Sequence, residues 1–102
     1  MEQLQFEFAA GAPAANRALT GVVSSGDLEV MLEPGSGGLT TVMVNTSVNG
    51  FGQVWKALLE RVFGASVLPA ARIEIHDSGA TPGVVRMRIE QAYEEAEQGR
   101  QP

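Results

Sequence analysis

Two short stretches of this 102-residue sequence, Ser24-Ser25-Gly26-Asp27 and His76-Asp77, set polar groups close enough together to do chemistry. In the first, two hydroxyls stand between apolar runs beside a glycine, where a sharp reversal leaves a side chain open to another enzyme. In the second, an imidazole beside a carboxylate has the makings of a general base and its orienting partner. Catalysis by that pair would also need a nucleophile, an oxyanion site and a pocket, and the sequence marks none of them. Serine and glycine are also what ordinary turns use, so residue chemistry alone favours a plain turn at positions 24–26. There is no cysteine, hence no thiolate nucleophile, disulfide or cysteine-based metal site. One histidine and scattered carboxylates offer no metal-ligand spacing. Gly35, Gly37 and Gly38 do not lead into a helix with a following lysine, so they read as a hairpin loop and not as a phosphate cradle.

Seven Lys and Arg against twelve Asp and Glu give a net charge of -5, and only Arg17 is basic among the first 55 residues. Such a surface repels phosphate backbones, which argues against nucleic acid and anionic membranes as partners. It suits docking onto basic patches of other proteins, and equally serves solubility. A chain of this length makes one small domain whose single core leaves little room for a deep substrate cavity. The opening Met1–Glu7 stretch lacks a basic, apolar leader and no run approaches the ~18 apolar residues of a membrane span. A cytoplasmic, soluble protein is expected.

The elements that would position these groups are mostly strands. Residues 1–17 read as an irregular or edge segment, with an Ala-, Gly- and Pro-rich run from Ala9 to Ala15. Leu19–Val23 is short, apolar and β-branched. From Asp27, Leu28, Val30 and Leu32 alternate with Glu29, Met31 and Glu33, the period of a half-buried strand. Leu39–Thr46 alternates likewise, and the spacing predicts that it pairs with the preceding strand through Pro34–Gly38 as a hairpin. The period then changes. Phe51, Val54, Trp55, Leu58, Leu59 and Val62 recur every three or four residues, which predicts an amphipathic helix over Gly50–Phe63 with Trp55 in the core, capped by Ser47 or Asn49. Ile73 and Ile75 alternate with Arg72, Glu74 and His76 as another strand, followed by a broad turn over Asp77–Gly83 in which Asp77 bonds nearby amides and Gly79 and Gly83 give backbone freedom. Val84–Glu90 fits both periods; a strand giving way to a helical tail near Gln91 is expected, with 98–102 disordered. The sum is an α+β sandwich, an antiparallel sheet with one amphipathic helix on one face.

The serine stretch is part of a wider pattern. Gly21–Val30, Thr46-Ser47-Val48-Asn49, Trp55 with Leu58 and Arg61, and above all Ile75–Gln91 resemble the acyl carrier (delta) subunits of bacterial malonate decarboxylase, over about Leu4 to Glu97. A more distant similarity is to the acyl carrier (gamma) chain of citrate lyase. The carrier motif Asp-Ser-Leu of ordinary phosphopantetheine proteins is absent, so their four-helix fold is not implied.

The resemblance implies a carrier that is not itself catalytic. In that family a serine directly before Gly-Asp, here Ser25, forms a phosphodiester to 2'-(5''-phosphoribosyl)-3'-dephospho-CoA, whose thiol bears acetyl and malonyl groups. Ser24 stands where relatives often have glycine. Implied partners are the transferase (alpha) and decarboxylase (beta, gamma) subunits, the malonyl transferase, and the transferase that attaches the prosthetic group. Malonate would leave as acetate and carbon dioxide. Asp27 and Glu29, beside the serine, are the candidate docking charges toward basic residues of those partners. A citrate-lyase-type carrier and an assembly module without the group are the alternatives.

Overall fold

The computed structural model describes residues 1–21 and 27–98. The elements run β1 (Glu2–Ala9), β2 (Ala18–Gly21), β3 (Leu28–Pro34), β4 (Leu39–Thr46), α1 (Gly52–Gly64), β5 (Ala71–Asp77) and α2 (Pro82–Gln98). The expected α+β class is what the chain adopts: one five-stranded sheet, ordered β1-β4-β5-β3-β2, with helices against one face. Alternation decides which face is covered. Leu28, Val30, Leu32, Val42, Val44, Ile73 and Ile75 are all buried, and the residues between them point to the open face.

The structure differs from the sequence expectation in three details. The sheet is mixed, because β4 and β5 run parallel while the other neighbouring pairs are antiparallel. β3 and β4 do not form the expected hairpin, because β5 lies between them. Gly35 explains how the connection gets past: its amide donates to the Ala70 carbonyl at 2.9 Å, and a Cβ there would stand 2.7 Å from the Ala71 nitrogen. The glycines let the chain cross against the backbone of β5 instead of turning back on β3. Thirdly, residues 82–98 form a second helix throughout, with no strand over Val84–Glu90. Thr81 caps it: its hydroxyl accepts the Val84 amide at 3.3 Å and its carbonyl the Val85 amide at 3.0 Å, with Pro82 at the first helical position. The buried residues, Val85, Ile89, Ala92, Tyr93 and Ala96, keep helical spacing, and Met87 is exposed where strand alternation would bury it.

The first helix follows its predicted stripe, burying Trp55, Leu59 and Phe63, although Phe51 occupies its N-cap without a side-chain cap from Ser47 or Asn49. α1 lies toward β1 and α2 over β2 and β3. The residue 1–17 region resolves into an edge strand, β1, and a connection tied down by Gly11 to Leu68 and by Ala12 and Ala14 to Ala70. Of the tail, Gln98 closes α2 and residues 99–102 lie outside the described residues.

Phe63 joins the two helices to the sheet. It stacks on Phe8 at 4.8 Å and meets Tyr93 edge-on at 6.1 Å. Tyr93 donates its hydroxyl to the Pro69 carbonyl at 3.2 Å, and burial pushes its phenol up to about 12 despite a hydrogen bond with Thr40 that acts the other way. Because the folded value is raised, the neutral phenol favours the fold fully below the unfolded value of about 10, and that contribution is lost as pH rises through the folded value. This is the chain's one tyrosine. Its ultraviolet titration is therefore expected to stay flat through pH 10 and rise near 12 or with unfolding. A midpoint near 10 in a protein with unchanged circular dichroism would contradict the burial.

Candidate functional site

Four strand ends meet at one end of the sheet. Gly21 at the end of β2 faces Glu29, Leu28 at the start of β3 faces Asp77, and Asp77 at the end of β5 faces Thr46 of β4. β2 and β3 are antiparallel neighbours, so the residues joining them leave and return at this end. The predicted attachment residue Ser25, with Ser24, lies in the connecting segment Val22–Gly26, outside the described residues. The site is therefore defined by what holds the two ends of that segment.

Asp27 is the C-terminal anchor. Its carbonyl accepts the Ser78 amide at 3.0 Å, and its carboxylate accepts the amide of Leu28 at 2.7 Å. Arg88, from α2, donates to the same carboxylate through Nη2 at 3.0 Å and Nε at 3.4 Å. Both side chains are about a quarter exposed, at 25% and 26%, so the pair is only partly screened by water. The Arg88 guanidinium, helped by the Leu28 amide, holds the Asp27 carboxyl below the usual carboxylate range.

Gly21 is the N-terminal anchor. Its φ of +83° is a backbone conformation that side chains resist, and a Cβ there would collide with the Leu28 carbonyl oxygen and come within 3.2 Å of Arg88 Cδ and Nε. The preceding residues are fastened to α2 as well: the Thr20 hydroxyl donates to the Arg88 carbonyl at 2.9 Å, and the Leu19 amide to Glu95 Oε1 at 3.2 Å. One residue of α2 thus touches both ends of the serine segment.

The neighbouring turn supports this end of the sheet. Asp77 is buried, and its carboxylate accepts the Thr46 hydroxyl at 2.7 Å, the Gly79 amide at 3.2 Å and the Ala80 amide at 2.9 Å. The predicted role of Asp77 as an amide acceptor is what the structure shows, and Gly79 has the expected positive φ, +86°. Gly83 does not need its freedom: it sits in the first turn of α2 without a positive φ.

His76 is not oriented by Asp77. Successive residues of a strand point to opposite faces, which puts His76 on the open face and Asp77 beneath the helices. His76 Nε2 instead lies 3.1 Å from Glu74 Oε2 on the same face of β5. Glu29 faces His76 across the β3–β5 pair, half-buried, on this open side.

Two concavities flank these elements. A groove of about 250 Å³ between α1 and α2 is lined largely by apolar side chains, among them Val48, Phe51, Trp55 and Val85. Its carboxylate, Asp77, already accepts three hydrogen bonds. A larger one, about 390 Å³, lies on the open face of the sheet, its Glu33–Arg72 edge away from Asp27. The hydroxyl that meets Asp77 in the groove between the helices is Thr46, buried like Asp77 itself.

The sequence stretches Gly21–Val30 and Ile75–Gln91 thus come together, and Arg88 is the contact that sequence reasoning missed. Read on a strand, it is a polar residue between Met87 and Ile89. Read on a helix starting at Thr81-Pro82, it falls beside the buried stripe of Val85, Ile89 and Ala92, which turns it toward β2 and β3.

Comparison with known proteins identifies the family. The sequence profile of a family described as malonate decarboxylase delta subunit (MdcD) matches residues 15–96. A malonate decarboxylase acyl carrier protein of Pseudomonas aeruginosa is 66% identical over 96 residues, covering 94% of this chain and 97% of that protein. Its counterpart in Pseudomonas fluorescens is 60% identical over 95 residues, covering 93% and 96%. Among solved structures, a chain in the crystal structure of a Pseudomonas malonate decarboxylase hetero-tetramer in complex with malonate superposes with a TM-score of 0.92 at 57% identity, covering 94% of this chain and 99% of that one. By both fold and sequence, this chain belongs to the malonate decarboxylase acyl carrier protein family.

Proposed function

We propose that this chain is the acyl carrier subunit of a malonate decarboxylase, and that Ser25 bears 2'-(5''-phosphoribosyl)-3'-dephospho-CoA through a phosphodiester. The observation that carries the reading is the likeness to named carriers along nearly the whole chain. The anchors of the serine segment fit the group: Gly21 and Asp27 fix both ends to the body of the protein, and a partly exposed guanidinium stands beside them as a counter-charge for a phosphodiester. When bound, the group supplies the thiol that a cysteine-free chain lacks.

The chain's own residues hold and present. Ser25 provides the hydroxyl, and the contacts of Ser78 and Arg88 with Asp27, and of Arg88 beside Gly21, hold the two flanking residues at the rim of the sheet. Presentation from a rigid base raises the effective concentration of a tethered acyl group at successive active sites. The partners in this reading are the transferase (alpha) and decarboxylase (beta, gamma) subunits, together with the malonyl transferase and the prosthetic-group transferase. Glu29, with the partly exposed Asp27 carboxylate that Arg88 already pairs, offers them negative charge close in sequence to the serine.

Intact mass of the protein purified from cells degrading malonate tests this. The expected result is an increase on the order of several hundred daltons over the bare chain, localised by fragmentation to Ser25. A native mass equal to that of the unmodified chain would reject the carrier reading in favour of an assembly module without the group.

A further inference from the structure

We propose that the open edge of β1 pairs with the same edge of a second copy of this chain, antiparallel and about a two-fold axis at Phe6, so that two sheets join into one.

The ladder fixes which groups that edge offers. β1 ends the order β1-β4-β5-β3-β2, with β4 on one side only. Where the β1–β4 register runs on past Ala9↔Leu39, Ala10 donates its amide to the Gly38 carbonyl at 2.8 Å. Alternate residues of an antiparallel strand bond to the same side, so Glu2, Leu4, Phe6 and Phe8 direct their main-chain groups to β4, while Gln3, Gln5, Glu7 and Ala9 turn theirs outward. Among the described residues nothing meets those four outward units. The opposite edge is closed: β2 has four residues, and its outward Leu19 amide is taken by Glu95 Oε1 at 3.2 Å. β1 has eight residues in unbroken register, without proline or glycine, and one of its two carboxylates, that of Glu2, is turned to the Gly50 amide at 3.1 Å. Folded proteins blunt or cover their edges, so an edge this long left open is a place for another strand.

The residues along β1 fit a second β1. Two-fold antiparallel pairing has one register that sets all four outward residues against outward residues, the one centred on Phe6. Gln3 then meets Ala9 and Gln5 meets Glu7, exchanging about eight main-chain hydrogen bonds in all. On the helix side Phe6 meets Phe6 and Leu4 meets Phe8, which gives that half-buried row apolar neighbours. Neither Glu2 nor Glu7 faces a carboxylate, whereas a register centred on Glu7 would set the two Glu7 side chains against each other. Gly21 and Asp27 lie toward the far edge of the sheet, so the seam leaves that rim uncovered in both copies. One strand per copy buries less than the roughly 1,200–2,000 Å² of stable interfaces, which makes the dimer weak and dependent on concentration.

The test is sedimentation equilibrium of the full purified chain from about 10 to about 500 µM, the range in which so small a seam associates. The expected result is a monomer–dimer equilibrium, with amide exchange at Gln3, Gln5, Glu7 and Ala9 slowing as the concentration rises. Gln5→Lys sets a cation against each Glu7 and should tighten the dimer by about threefold or more, whereas Gln5→Glu sets carboxylate against carboxylate and should loosen it by as much. Both shifts should shrink in high salt. Gln5→Pro removes an outward N–H that the fold does not use, and should remove the dimer with circular dichroism unchanged. A monomer at every concentration overturns the proposal and leaves the edge to a different protein. A dimer on which the two charge variants act alike, or in which those four amides stay unprotected, overturns it too, because the seam then lies elsewhere. If Gln5→Pro does not fold, the two charge variants decide.

Discussion

Ser25→Ala is expected to abolish both the covalent group and malonate turnover by the assembled decarboxylase, with the fold intact. The chain has no cysteine and therefore no thiol of its own, and in the proposed reading the whole chemical capacity of the carrier depends on one hydroxyl oxygen. Removing that oxygen removes the only bond to the group, and no partial activity should survive. The structural cost is small, because the substitution adds no atoms and changes of this kind usually stay within about 0.5 kcal/mol. Ser24→Ala is the matched control and should keep the mass increment. Intact mass, melting temperature and turnover of the reconstituted complex measure all three quantities on one preparation. A loaded and active Ser25→Ala protein would move the attachment elsewhere, with Ser24 the first place to look.

Gly21→Ala should be the most damaging single methyl group at this end of the sheet. Two costs coincide. At φ +83° an L side chain is strained by about 1–2 kcal/mol. The new Cβ would also collide with the Leu28 carbonyl oxygen, a backbone atom that cannot swing aside, and overpacking of this kind costs about 1–3 kcal/mol. The sum, about 2–5 kcal/mol, is a large part of the ~5–15 kcal/mol that holds a small domain together. Gly37→Ala separates the two causes, because Gly37 has a φ of +68° with nothing within 4 Å of its Cβ position. It should show the strain alone. Denaturant midpoints of the two variants measure the difference, and equal stabilities would show that the Leu28 carbonyl yields.

What could be read from the sequence was what depends on local period. The alternations of β3, β4 and β5 correctly put Leu28, Val30, Val42, Val44, Ile73 and Ile75 inside, and the three-to-four spacing of α1 put Trp55 there. β1 was just as readable: Leu4, Phe6 and Phe8 alternate with Gln3, Gln5 and Glu7, and the Ala-, Gly- and Pro-rich run behind them obscured an edge strand. α2 was misjudged because Val85, Met87 and Ile89 satisfy a period of two while Val85, Ile89, Ala92 and Ala96 satisfy a helix; the Thr81 cap and burial under the second pattern decide it. Strand order was out of reach. A short glycine-rich loop between two strands looks the same whether they pair or a third strand enters between them, and that depends on residues about thirty positions later. The Asp27–Arg88 contact joins residues 61 apart and leaves no mark in either neighbourhood. Residue chemistry reads the serine only as a turn former, and the attachment proposed for it rests on family likeness.

The strand made last is the one in the middle. On the ribosome, β1 to β4 emerge before β5, and until Ala71–Asp77 follows, β3 and β4 each carry an unpaired inner edge. A nascent or truncated chain ending before that point has two open ladders and no way to close them, which makes it prone to pairing with other chains. Closure waits for non-local pairing, the slow kind. α2 comes later still, and with it Arg88, which fastens the ends of the serine segment. Only a chain that has been made as far as α2 can therefore hold Gly21 and Asp27, the two strand ends at this rim, in their fastened form.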